Sequence, residues 1–522
     1  MLRSFLRPRR IHLLAIGSLV AGACIISSNT DTAAVSRSSL VGTVVQTPFR
    51  AHLIDGDVIV FDQGARVDSA QVSGTGRRFD ALRTTTVAST GIALDSVLGF
   101  EVYERTPNPG RTLVYSAAAT TVSVVGAAAL AVAIFGSCPT IYADSAGVPT
   151  LQAESFSYSI APLLAKRDVD RMTVVPNAEG VIRLAVRNEA LETHHLDQME
   201  IVEVRHAPGE VAYPSPRGGA VVVAGPMTAA SARDGAGRDV SRLVARRDDA
   251  AFSTDDGLLD RAIAGGPVED QLTLALPRRA GADSMALVLR ARSSLLTTSV
   301  LYEHLMGRQG ALALDWMGRD LSRITSLAKL GAWYGANFGM RVEVQDGDRW
   351  RQVIRLMDFG PTAWRDVGVV LPAATAIDDS VRVRLTFPAD AFRIDQAALA
   401  YHARRAEQRR IPIARATDSQ GAGRPDLVAM LARADDREVE THPGDQFWIE
   451  FDAGRAAPDA RTFFFAGQGY YVEWLRPAWM KSAALTQPFS PARTSMRDLL
   501  RSWKGGRDSL EAQFFSRRVP IT

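Results

Sequence analysis

Apolar positions in this chain fall into three different patterns, and each predicts a different kind of element. The first is an almost unbroken apolar run, Ile11–Ala23, behind Arg3, Arg7, Arg9 and Arg10. A basic start, an apolar stretch and small residues at its end predict a secretory signal over 1–23. A Ser/Thr/Ala-rich tether over 24–40 follows. Between 41 and 105 the apolar runs become short and are separated by turn residues: His52–Phe61, Val67–Val72, Thr84–Val87 and Val97–Tyr103, with Asp55-Gly56-Asp57 and Gly74-Thr75-Gly76 between them. This predicts a small β-domain. The third pattern is Thr112–Ala143, which holds no charged residue. Its length over 112–136 suffices for a bilayer span of about 20 residues. Ala119, Ser123, Ala127 and Ala131 recur at every fourth position, a small-residue stripe of the sort that lets helices approach closely. A membrane-associated helix is favoured over an Ala-rich helix buried in the protein. Arg105 and Arg111 precede it and Lys166 is the next basic residue. That asymmetry would place the preceding β-domain in the cytoplasm, against the export implied by the signal.

Beyond residue 136 short β-type alternation returns. Val181–Val186, Met199–Val204 and Ala220–Ala224 predict a β-domain over 137–225, and the polar stretch 226–270 reads as a linker. Strand patterns at Leu272–Leu276 and Ala286–Ala291 resume at Arg341–Gln345, Trp350–Leu356, Val367–Leu371, Val381–Phe387 and Ile394–Tyr401. Between them Leu301, Leu305, Leu321, Ile324 and Ala328 keep helical spacing. A jelly-roll-like β-sandwich over 271–402 with a helical excursion accounts for both. The Arg-rich stretch 403–435 reads as a second linker, 436–480 as strands that complete the sandwich, and 481–522 as a tail. Leu499, Leu500, Trp503 and Leu510 make that tail amphipathic, and Gly505-Gly506 is expected to interrupt it. The fold class is thus mainly β.

Composition narrows the chemistry. Of the 60 basic residues only Lys166, Lys329, Lys481 and Lys504 are lysines, yet the formal net charge is only +3, with acids interspersed. No basic arm or stripe results, so nucleic acid is not an expected partner. The two cysteines are Cys24 and Cys138. With Cys24 committed to lipid, Cys138 has no intramolecular partner, and stability must come from burial.

Ala21-Gly22-Ala23-Cys24 resembles the lipobox of bacterial lipoproteins, with Ala21 where that box prefers Leu. The resemblance implies lipidation at Cys24; an uncleaved anchor and ordinary secretory cleavage are the alternatives. Together with the internal hydrophobic segment, GSCPTIY (136–142), RLAVRNE (183–189), ETHHLDQMEIVEVRH (192–206) and RTFFFAGQGYYVEW (461–474) are similar to a group of uncharacterised bacterial envelope lipoproteins. That resemblance implies a location in the cell envelope and supplies no chemistry.

Catalytic signatures are absent: there is no Gly-x-Ser-x-Gly elbow, His-Glu-x-x-His helix or Gly-Lys-Ser/Thr phosphate loop. Asp255-Asp256 and Asp378-Asp379 read as turns. His194, His195 and His206 lie near Glu192, Asp197 and Glu203, all of ligand type, but adjacent histidines diverge on a strand or a helix. No metal or cofactor is assigned. All eight tryptophans fall at or after Trp316. Trp350, Trp364, Tyr470, Tyr471 and Trp474 form the candidate binding platform, since Trp and Tyr join a broad apolar face to a polar tip. A strand through Tyr470-Tyr471 should leave one of the pair off the core. The sequence therefore favours a non-catalytic, membrane-anchored envelope protein whose sandwich binds a protein partner or a glycan. An envelope hydrolase, glycan-directed and built from distant loops, is the alternative.

Overall fold

The computed structural model of the chain describes residues 28–36, 40–45, 49–53, 57–61, 63–79, 86–107, 139–145, 148–190, 192–228, 231–278, 284–306, 309, 323–357, 359–372, 379–435, 437–455, 459–473 and 495–516. The protein is mainly β. Cys24, Cys138, Trp474 and the apolar segment expected as a helix over 112–136 lie outside the described residues. Among the described residues no helix is long and apolar enough to cross a membrane.

The N-terminal β-domain is one antiparallel sheet in which Phe49–Leu53 lies between Val58–Phe61 and Val97–Pro107. Phe49, Ala51 and Leu53 alternate into a core with Ile59, Phe61, Val72 and Phe100. On the opposite face Arg50 and His52 are equally buried, and both bind Glu101: Arg50 Nη1 to Oε2 at 2.6 Å and His52 Nε2 to Oε1 at 2.5 Å. A carboxylate shared by two bases is how a sheet buries polar groups on its second face. The tether is shorter than expected. Ser28–Ser36 forms a strand along Val97–Pro107, because extended backbone needs only a ladder partner, not an apolar pattern.

The second body is a sheet that curls into a near-closed barrel. In order it contains Val148–Glu154, Thr140–Ser145, Val181–Arg187, Gln446–Asp452, Arg409–Asp418, Glu192–His206, Ala460–Glu473 and Lys166–Arg171. Arg409–Asp418 makes the corner: residues 409–412 pair with Glu192–His206, and residues 413–418, past a register break, pair with Gln446–Asp452. Leu184, Ile201, Ile413, Ile449, Phe463 and Phe465 fill the interior. A second register break between Leu196 and Gln198 changes which residues point inward, from Leu196 to Met199 and Ile201.

The third body is the expected sandwich. Ser231–Asp234, Glu269–Pro277, Ser380–Pro388, Met340–Asp346 and Arg349–Leu356 form one sheet; Met227–Thr228, Phe392–Tyr401, Met285–Ser293 and Arg365–Leu371 form the other. Leu272, Leu274 and Leu276 alternate inward against Val342, Val383, Leu287 and Leu399. The helical excursion is present at Leu296–Ser299, Val300–Met306 and Ile324–Asn337.

Between barrel and sandwich lies a three-stranded spacer, Glu210–Pro214, Ala220–Ala224 and Arg404–Ala406. Ala212, Ala220 and Val222 pack on Val202, Val204 and Phe464 of the barrel. Tyr213, Val221 and Val223 pack on Ala286, Val288 and Ala400 of the sandwich. Alternation along two strands thus serves two cores at once.

Several sequence expectations need correction. The stretch 226–270 is no plain linker: Ser231–Asp234 is a sandwich strand, and Asp256–Ala264 is a helix capped by the Asp255 side chain, which accepts from Gly257 N. The stretch 403–435 carries the barrel's corner strand. Gln446–Asp452 and Ala460–Glu473 complete the barrel and not the sandwich. The C-terminal helix runs Met496–Ser516 straight through Gly505-Gly506. Its Met496, Leu499, Leu500 and Trp503 enter the sandwich core, and packing outweighs the cost of about 1 kcal/mol per helical glycine.

Candidate functional site

Of the aromatic residues expected as a platform, the four within the described residues, Trp350, Trp364, Tyr470 and Tyr471, are not brought together. Trp350 lies on Arg349–Leu356, the outer strand of the five-stranded sheet. It is half-buried beneath Arg384, whose guanidinium lies 4.5 Å from the ring centroid. Trp364 precedes Arg365–Leu371 at the edge of the other sheet, with Arg290 and Arg292 at 5.4 and 5.0 Å from its ring. Tyr470 and Tyr471 are both 0% exposed, so neither faces away from a core. The expectation requires one face of their strand to be open, whereas this strand lies between Glu192–His206 and Lys166–Arg171 with both faces covered. Tyr471 donates its hydroxyl to Ser157 O at 3.2 Å, and Tyr470 donates to Glu438 Oε2 at 3.0 Å.

The histidines diverge as their adjacency requires. His194 stands opposite Tyr471 and Thr441, and His195 opposite Tyr470 and Glu440, on the two faces of one strand. His206, at the far end, contacts Thr462 Oγ1 at 2.8 Å. His195 stacks on Tyr470 with ring centroids 4.4 Å apart and planes 7° off parallel, and its Nδ1 lies 3.3 Å from Glu438 Oε2 and 3.7 Å from Glu440 Oε1. His194 Nε2 lies 3.3 Å from Glu192 Oε1. Burial, reinforced by the neighbouring His195 charge, lowers the His194 pKa to about 3, so this imidazole is neutral at ordinary pH. Among the described residues no group of three His, Cys, Asp or Glu side chains has metal-holding geometry. An imidazole, a phenol and a carboxylate in contact can share protons. Here His195 is 2% and Tyr470 0% exposed, which leaves no face for a substrate. Glu438, Glu440 and His442 could not be placed here from sequence because they arrive from about 240 residues downstream.

Carboxylates converge at a second place, where Lys166–Arg171 of the barrel meets Arg365 of the sandwich. Arg365 Nη2 binds Asp168, its Nε lies 3.1 Å from Asp170 Oδ1, and Glu154 Oε2 accepts from Thr362 N and Ala363 N at 2.7 Å each. Burial, then the Glu154 charge, pushes the Asp170 pKa well above the usual carboxylate range, and burial pulls Arg365 down to about 10. These acids are locked on one guanidinium and on backbone. They join the two bodies.

An open site lies beside the spacer. A cleft of about 350 Å³ is lined by the hairpin tip Ser215–Gly219, by Ala220 and Val221, by Ile354, by Gly368–Val370 at the sandwich edge, and by Ala403–Ala406. Gly218 and Gly219 take φ of +83° and +81°, a region that favours glycine, and nothing lies within 4 Å of where a Cβ would stand. Gly368 lets the edge strand approach the spacer, since a Cβ there would stand 3.0 Å from Tyr213 Cβ. The lining contains Arg217, Arg404 and Arg405 and, among the described residues, no acidic one. Arg217 Nη2 donates to Val353 O at 2.7 Å, which ties the hairpin tip to the sandwich. Arg404 is held by Glu210 at 2.6 Å. Arg405 is exposed and has no hydrogen-bond or ion-pair partner among the described residues. The sequence signal for this site is only the Arg217-Gly218-Gly219 turn; its partners lie about 190 residues away.

No known protein family matches the chain, and no curated protein matches it. Among solved structures, an allantoicase is 10% identical and covers 52% of this chain and 93% of its own, with a TM-score of 0.17. A GH31 alpha-xylosidase from Xanthomonas citri is 10% identical over 86% of this chain and 38% of its own, with a TM-score of 0.15. The infectious bursal disease virus Gt strain structure is 10% identical over 93% and 87%, with a TM-score of 0.16. At these scores the likenesses carry no argument about activity.

Proposed function

We propose that this chain is a non-catalytic, lipid-anchored bacterial envelope protein whose β-sandwich region binds a glycan or a protein partner. The observation that carries the binding part is the cleft between spacer and sandwich: it is open, mixed apolar and cationic, and among the described residues its lining holds no acid that could act as a general acid or base. Clefts at the junction of two bodies are where ligands are commonly held. Of the carboxylates that converge at the barrel–sandwich junction, Asp168 and Asp170 are held by Arg365 and Glu154 by backbone amides, which weighs against the hydrolase alternative at that place.

The anchor part rests on the lipobox-like AGAC ending at Cys24, with the apolar stretch 112–136 as a second membrane contact. Mass spectrometry of the protein taken from membranes tests it: a mature chain that begins at lipidated Cys24 is expected, and an intact Met1 or an unlipidated N-terminus refutes it. The binding part is tested by applying the full chain to arrayed envelope glycans and assaying the same glycans for cleavage. Binding without turnover is expected, and hydrolysis by the purified protein would replace this reading with the enzymatic one.

A further inference from the structure

We infer that the cleft between the spacer and the sandwich recognises an acidic sugar unit, a pyranose that carries a carboxylate, through Arg217 and Arg405. The inference rests on the reading of the sandwich region as a binding module and names its ligand class.

Three guanidinium groups border the cleft, and among the described lining residues there is no carboxylate. Glu210 satisfies Arg404, but Arg405 has no partner among the described residues, and Arg217 spends one Nη2–H on Val353 O. At the rim of a cleft, the exposed Arg405 guanidinium is a donor open to a ligand. Guanidinium presents its N–H groups as a planar fork that matches a carboxylate.

Direction comes next. Arg405 is the ladder partner of Val221, whose side chain packs toward the sandwich. Residues directly opposite on paired strands share a face, so Arg405 stands on the cleft side of the spacer. Arg217 reaches across from the hairpin tip to Val353, so one donor borders the cleft from each of two elements. Such an arrangement fixes orientation as well as charge.

The remaining lining favours a sugar over a bare anion. Ile354, partly buried, and Val370, 42% exposed, supply apolar surface beside the arginines. A pyranose offers an apolar C–H face and, in a uronic acid, an in-plane carboxylate at its rim, which matches that surface and the donors together. About 350 Å³ lies at the lower end of small-ligand sites, a size that suits one or two rings. The open space above Gly218 and Gly219 lets a ligand lie against the turn.

The test uses the full chain in detergent and isothermal titration with four probes: an α-1,4-linked galacturonic acid tetrasaccharide, the same oligosaccharide with its carboxylates reduced to alcohols, sodium acetate and sodium sulfate. The acidic tetrasaccharide is expected to bind at least roughly tenfold more tightly than the reduced one, and R405A and R217A are each expected to weaken it by roughly tenfold, with unchanged unfolding midpoints. Binding should weaken as salt rises from about 0.05 to 0.5 M, because exposed charge contacts are screened. Equal affinity for the acidic and reduced oligosaccharides overturns the acidic-sugar inference and leaves the binding module standing. Acetate or sulfate bound as tightly as the tetrasaccharide overturns the sugar in favour of a bare anion. Tight acidic binding that R405A and R217A leave unchanged overturns the cleft as its place. Failure of both oligosaccharides to bind at roughly 1 mM overturns the inference outright, and the glycan array and a protein-binding assay then decide the broader reading separately.

Discussion

Removing the Trp503 indole should release the C-terminal helix from the sandwich. Trp503 is 1% exposed, lies in the sandwich core beside Leu499 and Leu500, and donates Nε1–H to Asp390 Oδ2 at 2.8 Å. Asp390 sits in the turn between Ser380–Pro388 and Phe392–Tyr401 at φ +59°, is 1% exposed, and is bound also by Arg393 at 2.7 Å and Arg507 at 3.3 Å. Trp503→Phe keeps most of the ring and deletes the hydrogen bond to a charged acceptor, a loss of about 1.5–3 kcal/mol. Trp503→Ala adds a cavity and should cost about 3–5 kcal/mol in all. The remaining polar anchors, Lys504 on Asp260, Arg507 on Asp256 and Arg497 on the carbonyls of Ala262 and Gly266, are mostly solvent-screened contacts worth far less each, which leaves the burial of Met496, Leu499 and Leu500 as the main other hold. With Gly505-Gly506 in its middle the helix has weak propensity to persist alone in water, so undocking and unfolding coincide. Hydrogen exchange over 496–516 at pH 7 reads this directly. Wild type should protect the helix amides, Trp503→Phe should raise their exchange in part, and Trp503→Ala should expose them while barrel amides stay protected. Helix amides in Trp503→Ala as protected as in wild type would refute the reasoning, because Met496, Leu499 and Leu500 would then hold the helix without the indole.

Three other outcomes follow from buried contacts. Arg365→Met leaves Asp168 and Asp170 without their shared cation and should cost about 3–5 kcal/mol in denaturant unfolding, with Arg365→Lys recovering only part. His194 remains neutral when folded to about pH 3, whereas an unfolded histidine protonates below about 6.5. Its contribution is therefore complete above pH 6.5 and is lost as pH falls toward 3, by at most about 1.4 kcal/mol per pH unit; His194→Gln should flatten the slope of stability between about pH 6.5 and 4.5, and an unchanged slope would count against burial of this imidazole. At Gly469 a Cβ would stand 2.3 Å from His195 O and 3.0 Å from the Phe156 ring, so Gly469→Ala should cost at least about 1–3 kcal/mol, measured as a lower denaturation midpoint.

Which parts of the molecule can be read from sequence follows from how many faces each strand buries. Strands with one core face, such as Glu269–Pro277 with Leu272, Leu274 and Leu276 inward, alternate visibly, and their sequence pattern places them closely. Ala460–Glu473 buries both faces and reads as a nearly continuous apolar run, in which the side of the sheet a tyrosine takes cannot be inferred. The corner strand Arg409–Asp418 does alternate, with Ile411 and Ile413 inward, but exposed arginines and Pro412 give it the look of a linker. Gly505-Gly506 marks a helix break on local propensity, and tertiary docking by Trp503 and Arg507 overrides it. The histidine pair shows its divergence in sequence because a one-residue step reverses the face. Its acidic neighbours from the 438–440 stretch do not show, since strand pairing alone brings them there.

The chain order of the spacer explains why a cleft forms where it does. The chain leaves the barrel after His206, builds Glu210–Pro214 and Ala220–Ala224, makes the whole sandwich, and returns as Arg404–Ala406, the third spacer strand, before entering the barrel again at Arg409–Asp418. The sandwich is thus inserted into the barrel's sequence, and the two legs of the insertion pair with each other at its base. Arg217 belongs to the outgoing leg and Arg404 and Arg405 to the returning one, so residues about 190 positions apart come to line one cleft through the pairing of the two legs. Two packed faces, one on each body, hold the spacer rigid through Val222 and Val221, which fixes the strands that carry the arginines. The hairpin tip, by contrast, makes its turn with Gly218 and Gly219 facing open space, so residues there can change without disturbing either core. A rigid base with a permissive tip is the arrangement in which loop sequence sets ligand choice while the scaffold sets position.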